Sequence, residues 1–152
     1  MPDAQVKFVD ESIGVSGRGM ITGVIFFDFG TFQFPEQEWN DAVVVILGWW
    51  LAALMNFLTG GVAETELRFM DGSFWLSIQR ESGTEECRIR CIAGPVARES
   101  FQCRGSALNL LRSALGVATR VQRLCYENGW RSADLQVLDG LVSAARKLTR
   151  EH

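Results

Sequence analysis

Histidine is nearly missing from this 152-residue chain: the only one is His152, the last residue. A frayed chain end is a poor seat for a catalytic base. Ser-His-Asp and Cys-His mechanisms therefore have no histidine to work with. Metal ligands are short as well. Zinc takes three or four ligands from one cluster. Cys87 and Cys91 point the same way along a strand, but Cys103 and Cys125 lie far off in sequence. Four cysteines do not make a disulfide framework here either. Within one strand the Cα atoms of Cys87 and Cys91 sit ~13 Å apart, whereas a disulfide needs less than about 7 Å. Buried, reduced thiols are expected, with no metal and no cofactor.

Long apolar runs are also lacking. The longest, Ala42–Met55, has 14 residues, against the ~20 that a membrane span needs. No lysine or arginine flanks it to set a topology. It reads as a buried central helix continuing to Leu58 and stopped by Thr59-Gly60-Gly61. Three successive valines leave a Val43–Leu47 strand as the alternative. Asp3, Lys7, Asp10 and Glu11 interrupt the start, so no signal peptide is expected and the cytoplasm is the expected location. There is no internal repeat and no low-complexity segment.

Two further chemistries lack their key parts. The glycine-rich stretch Ile13–Met20 has neither the lysine nor the following helix of a phosphate loop. The carboxylate pairs Glu36/Glu38 and Glu85/Glu86 are of the kind a hydrolase uses, yet nothing marks them as buried, and they read as solvated acids. An enzyme is not expected.

What is present is an ordinary globular composition, 47% hydrophobic, at a length that suits one domain. The net charge of −3 hides an asymmetry. Residues 1–86 carry 13 acids and 4 bases, and residues 87–152 carry 5 acids and 11 bases. Such halves either attract each other within the fold or leave an acidic surface that steers a basic partner. Arg88, Arg90, Arg98, Arg104, Arg112, Arg120 and Arg123 could form a basic face for nucleic acid. A pI of 5.2 and the lack of a recognisable module argue against it.

The patterning predicts an α+β fold: an antiparallel β-sheet, one central apolar helix and two C-terminal amphipathic helices. Val6–Val9 and Met20–Phe29 read as strands, with Gly14–Gly19 a loop. Phe34-Pro35 through Asp41 reads as the start of the central helix, its acids favouring the positive end of the helix dipole. Leu67–Met70, Asp71-Gly72 and Ser73–Ile78 predict a hairpin with a type I′ turn. In that register Phe69 faces Phe74, Arg68 faces Trp75 and Leu67 faces Leu76. Leu67, Phe69, Phe74, Leu76 and Ile78 fall on an apolar face, and Arg68, Trp75 and Ser77 on the other. Cys87, Ile89 and Cys91 form a third strand, inward-facing, in a meander with one wet face. From Ser106 the period becomes helical, with a stripe of Leu108, Leu111, Leu115, Ala118, Val121 and Cys125. Asn128-Gly129 stops that helix, and Ser132 caps a last one with Leu135, Leu138, Leu141 or Val142, Ala145 and Leu148 inward. Trp49 and Trp50 are expected in the core, and Trp75, on the outer face of the hairpin, is either covered by the C-terminal helices or a contact residue, with covering favoured because sheets usually seek a second layer.

Phe34-Pro35, Trp39-x-Asp41, Trp49-Trp50 and Phe69-Met70-Asp71-Gly72 together resemble small bacterial immunity proteins of polymorphic or secreted toxin systems. The resemblance spans residues 26–92 and leaves out the two C-terminal helices. Such families share no fixed functional residues. What the resemblance implies is a cytoplasmic inhibitor that neutralises one cognate toxin by protein–protein binding, with neither nucleic acid nor membrane as partner. For a basic toxin, the acids of the first half are the candidate contacts: Glu36, Glu38, Asp41, Glu64, Glu66, Glu81, Glu85 and Glu86. The alternatives are a small ligand-binding or enzymatic domain with a pocket beside the apolar helix, and a homodimeric structural protein.

Overall fold

The uncharged run after Asp41 is a helix, α1 (Val43–Leu58), and the rest of the chain is built around it. The computed structural model describes residues 4–152. Strands β1 (Gln5–Phe8), β2 (Gly14–Val15) and β3 (Ile21–Asp28) come first, then the two-residue strands β4 (Gln33–Phe34) and β5 (Asn40–Asp41). β1, β2, β4 and β5 all pair antiparallel with β3. After α1 comes an antiparallel meander in the order β6 (Glu64–Arg68), β7 (Phe74–Arg80), β8 (Cys87–Ala93) and β9 (Arg98–Gly105). Helices α2 (Ala107–Glu127) and α3 (Ala133–Arg150) close the chain. The architecture is the predicted α+β arrangement. Among the described residues no helix is long and apolar enough to cross a membrane.

α1 is central because it can be buried on several sides at once. It packs on β3 and β6 and against both α2 and α3. Trp50, Leu51, Leu54 and Phe57 have no exposed surface. Phe27 of β3 lies 4.6 Å from Trp50, ring centre to ring centre, and Phe69 lies 5.2 Å from it. The Trp50 indole N–H donates to the Arg68 carbonyl at 2.7 Å, which satisfies its buried polar atom. Phe101 of β9 stacks on Phe32 at 5.0 Å and joins the two sheets. The outer edge of β1 is closed by α2: the Val6 N–H donates to Ser113 Oγ, and Arg120 donates to the Phe8 carbonyl.

The hairpin register is the predicted one, with Leu67 opposite Leu76 and Arg68 opposite Trp75. Its turn is different. Only Gly72 has positive φ, 95°, where a type I′ turn needs two such residues. The closing bond runs from the Phe69 N–H to the Phe74 carbonyl. Residues 70–73 form a longer loop because the Asp41 carboxylate takes the N–H groups of both Met70 and Asp71.

Four other expectations are corrected. Phe34 through Asp41 is no helix start: its ends are strands on β3, and the first turn of α1 holds no acid. The pairing of Phe34 with Phe27 and the burial of the Phe34 ring keep the segment on the sheet. The stripe of α2 is turned by part of a residue: Leu110, Ala114 and Val117 are deep, while Leu108 and Leu115 sit at its margins. Trp75 is half-buried under the Arg68 guanidinium, 4.5 Å from its ring centre, while α2 and α3 pack on α1 and β1 instead. Trp49, expected in the core, is 45% exposed, since α1 is covered on every side except the one it occupies. Gly14–Val15 adds a short strand to the expected loop, and β9 makes the meander four-stranded.

Candidate partner-binding surface

The eight candidate acids fall into three groups. Glu64, Glu66 and Glu81 belong with the wet face of the meander. Glu66 pairs with Arg68 at 2.9 Å. Glu81 bridges Arg88 at 2.9 Å and Arg104 at 3.0 Å. Glu64 accepts from Ser77 Oγ at 2.9 Å and lies 3.9 Å from Arg90. Glu99 lies 3.6 Å from the same arginine. Acids and arginines alternate over this face, so most of its charge is cancelled locally and little field is left for a partner.

Asp41 stands alone. It is 3% exposed, not the solvated acid its charge suggests. Oδ1 accepts the N–H groups of Ala42 at 2.7 Å and Met70 at 3.3 Å. Oδ2 accepts the Trp39 indole N–H and the Asp71 N–H, each at 3.0 Å. It is a clamp that fastens the 70–73 loop to the 35–41 segment, and it has no carboxylate oxygen left for a partner.

Glu36, Glu38, Glu85 and Glu86 are exposed and form no ion pair with any described residue. They sit at opposite ends of β7. Glu85 and Glu86 lie in the β7–β8 connection. Glu36 and Glu38 lie between β4 and β5, a segment anchored by the Trp39 ring against Phe74 at 5.1 Å. Glu38 has φ 64°, the left-handed backbone that few residues other than glycine adopt.

That same end holds an acid the spacing did not single out. Asp71 is exposed and without an ion pair among the described residues. Its signal was the Asp-Gly pair itself, which puts an acid at a loop tip. Asp71 and Met70 meet Arg18, Met20, Asn40 and Ala42 around a cleft of about 410 Å³. Three loops thus converge at the start of α1, as binding loops on rigid scaffolds commonly do.

Cys87, Cys91 and Cys125 offer no nucleophile at neutral pH. Burial raises the Cys87 and Cys91 thiols, and pushes the Cys125 thiol up to about 11. Among the described residues no three His, Cys, Asp or Glu side chains come together as a metal site would require. Comparison with protein-family models, with curated proteins and with solved structures finds no match to this chain.

Proposed function

We propose that the protein neutralises a cognate bacterial toxin by binding it directly, as an immunity protein, without turning over a substrate. The observation that carries this reading is the 35–41 loop. It presents Glu36 and Glu38 exposed and unpaired on a segment locked by Trp39 and Asp41. A loop held in one shape before contact loses little entropy on binding. Unpaired carboxylates on it speed the approach of a basic surface. The left-handed Glu38 costs on the order of 1–3 kcal/mol, and strain of this kind collects at working surfaces. The partner is accordingly a basic protein, met in the cytoplasm.

The direct test is co-expression with a toxin encoded beside the gene. Cells carrying the wild-type chain should survive, and the two proteins should co-purify with the toxin intact. A soluble chain that gives no protection, and no complex with the toxin, sinks the proposal. The cleft beside the start of α1 favours a second reading, a small-ligand domain, since about 300–1,000 Å³ is the usual size of a ligand pocket. A small molecule that raises the melting temperature of the wild type, but not of a variant with Met70→Trp filling the cleft, would favour that reading.

A further inference from the structure

The cleft at the start of α1 carries two opposite charges that the fold does not use. Arg18 and Asp71 both line it, and neither forms an ion pair with the other or with any other described residue. Each stands on a turn whose backbone is fixed by hydrogen bonds. Around Arg18, the Ser16 N–H donates to the Met20 carbonyl at 2.7 Å, and the Gly19 N–H donates to the Ser16 carbonyl at 2.9 Å. Ser16 Oγ accepts the N–H groups of Arg18 at 3.3 Å and Met20 at 3.2 Å. Gly19 takes φ 79°, which lets the chain reverse there. Asp71 stands on the loop that the Asp41 carboxylate fastens through the N–H groups of Met70 and Asp71. Asp41 also lines the cleft, but both its oxygens are taken by N–H groups. Arg18 and Asp71 are thus the two charged side chains of the lining that a ligand can engage. Met20 and Met70 add apolar side chains that adapt to varied shapes.

We infer that this cleft binds a small zwitterion: a molecule with a carboxylate for Arg18, an ammonium for Asp71 and an apolar side chain against Met20 and Met70. The inference rests on the reading of this cleft as a ligand pocket and names what the pocket takes. The charge pattern selects the class. An anion alone brings a repelling charge to Asp71, and a cation alone brings one to Arg18. A neutral molecule shields both charges from water and gives neither a partner of opposite sign. A zwitterion satisfies both at once, with the stronger, charge-assisted kind of hydrogen bond at each end. The fixed turns leave mainly the two side chains to be ordered on binding. A cleft of about 410 Å³ suits a free amino acid or a short peptide, the two sources of this chemistry.

The probes are L-leucine and the dipeptide Leu-Leu, titrated into the full chain and followed by NMR at the amides of Arg18, Met20, Met70 and Asp71. Both should shift these amides, and the tighter of the two tells a free amino acid from a peptide as the source. N-acetyl-leucine lacks the ammonium and leucine amide lacks the carboxylate. Each should bind about fivefold weaker than leucine, the scale of one partly exposed charge pair. Glycine, with both charges and no side chain, should also bind more weakly. Asp71→Asn should remove the advantage of leucine over N-acetyl-leucine, and Arg18→Gln its advantage over leucine amide. Both variants replace exposed side chains that form no hydrogen bond with the described residues, and the same spectra check their folding. If either fails to fold, the blocked ligands on wild type carry the test. No shift with leucine or Leu-Leu, shifts confined to other parts of the chain, or equal binding by the blocked forms overturns the inference. Met70→Trp separates it from the reading beneath it. If blocked and unblocked ligands bind equally and Met70→Trp abolishes both, the cleft is a ligand pocket and the zwitterion is wrong. If Met70→Trp leaves every titration unchanged, the pocket reading fails and the zwitterion fails with it.

Discussion

At Asp41 four N–H donors converge on one buried carboxylate. Alanine there removes every acceptor at once. A buried donor left without a partner costs about 1–3 kcal/mol, and water can reach the more exposed of these four. Asp41→Ala should therefore lose about 3–5 kcal/mol in urea unfolding, which at ~2–4 °C per kcal/mol is roughly a 10–15 °C fall in melting temperature. A loss under about 1 kcal/mol would mean that the clamp is not holding the loops. The residue was legible as an acid and not as a clamp, because a Trp-x-Asp spacing looks alike in a helix start and in a short strand. What decides between them is Met70 and Asp71, some thirty residues away. Burial of Cys87, Cys91 and Cys125 was easier to read, since alternation in β8 and the stripe of α2 fix which way they face, whereas Cys103 on the edge strand β9 is only half-buried. It also sets a pH dependence. The Cys125 thiol ionises near 9 when unfolded and near 11 when folded. A raised folded value means stability is intact below about pH 9 and declines above it, as the unfolded chain ionises first. By pH 11 the Cys125 share of the loss is roughly 2–3 kcal/mol. Urea midpoints should be flat from pH 7 to 8.5 and drop above 9, and Cys125→Ala should make the drop shallower. An unchanged alkaline slope in that variant would show that Cys125 is not its source.

The elements divide by how local their causes are. The hairpin from Leu67 to Ile78 and the apolar helix were legible because alternation, an Asp-Gly pair and an uncharged run each act within a few residues. β4 and β5 were not, since a two-residue strand has no period and exists only because β3 is there to pair with it. β9 was hidden for another reason. As an edge strand with Arg98, Gln102 and Arg104 exposed, it shows no continuous apolar signal. Phe69 and Phe74 test the hairpin directly, for their rings face the same cluster from unequal depths. Phe69 is buried and meets Phe27, Phe34, Trp39 and Trp50. Phe74 is half-buried and meets Phe34 and Trp39. Phe69→Ala should cost about 3–5 kcal/mol, and Phe74→Ala roughly half as much, read from denaturant midpoints at constant m-value. Losses under about 1 kcal/mol for both would mean that the hairpin is turned over in solution, since the two rings share one face.

For the whole molecule the question is where the charge of the acidic half is spent. Much of it meets arginines inside the fold: Glu81 lies between Arg88 and Arg104, and Asp10 pairs with Arg120. That share could not be read from the chain, because a count of charges per half says nothing about which face of a strand each one takes. What is left unpaired among the candidates stands at two ends, Glu36 and Glu38 at one and Glu85 and Glu86 at the other. β7 separates the ends by seven residues, ~20 Å at ~3.3 Å each. This exceeds the Debye length of ~8 Å at physiological ionic strength, so each end acts on an approaching partner almost independently. Paired charge reversals can then tell which end the partner meets. Glu36→Lys with Glu38→Lys should slow association with the toxin by about tenfold at low salt and flatten its salt dependence, while dissociation changes little. Glu85→Lys with Glu86→Lys should leave the association rate within about twofold. All four side chains are exposed, so melting temperatures should stay close to wild type, and Asp41 is left alone so that no clamp is lost. If the second pair slows association and the first does not, the contact lies at the other end of the meander, beside Arg80 and the β7–β8 connection. If neither pair matters and association ignores salt, the acids do not steer the encounter, and recognition falls to the apolar surface around Trp49.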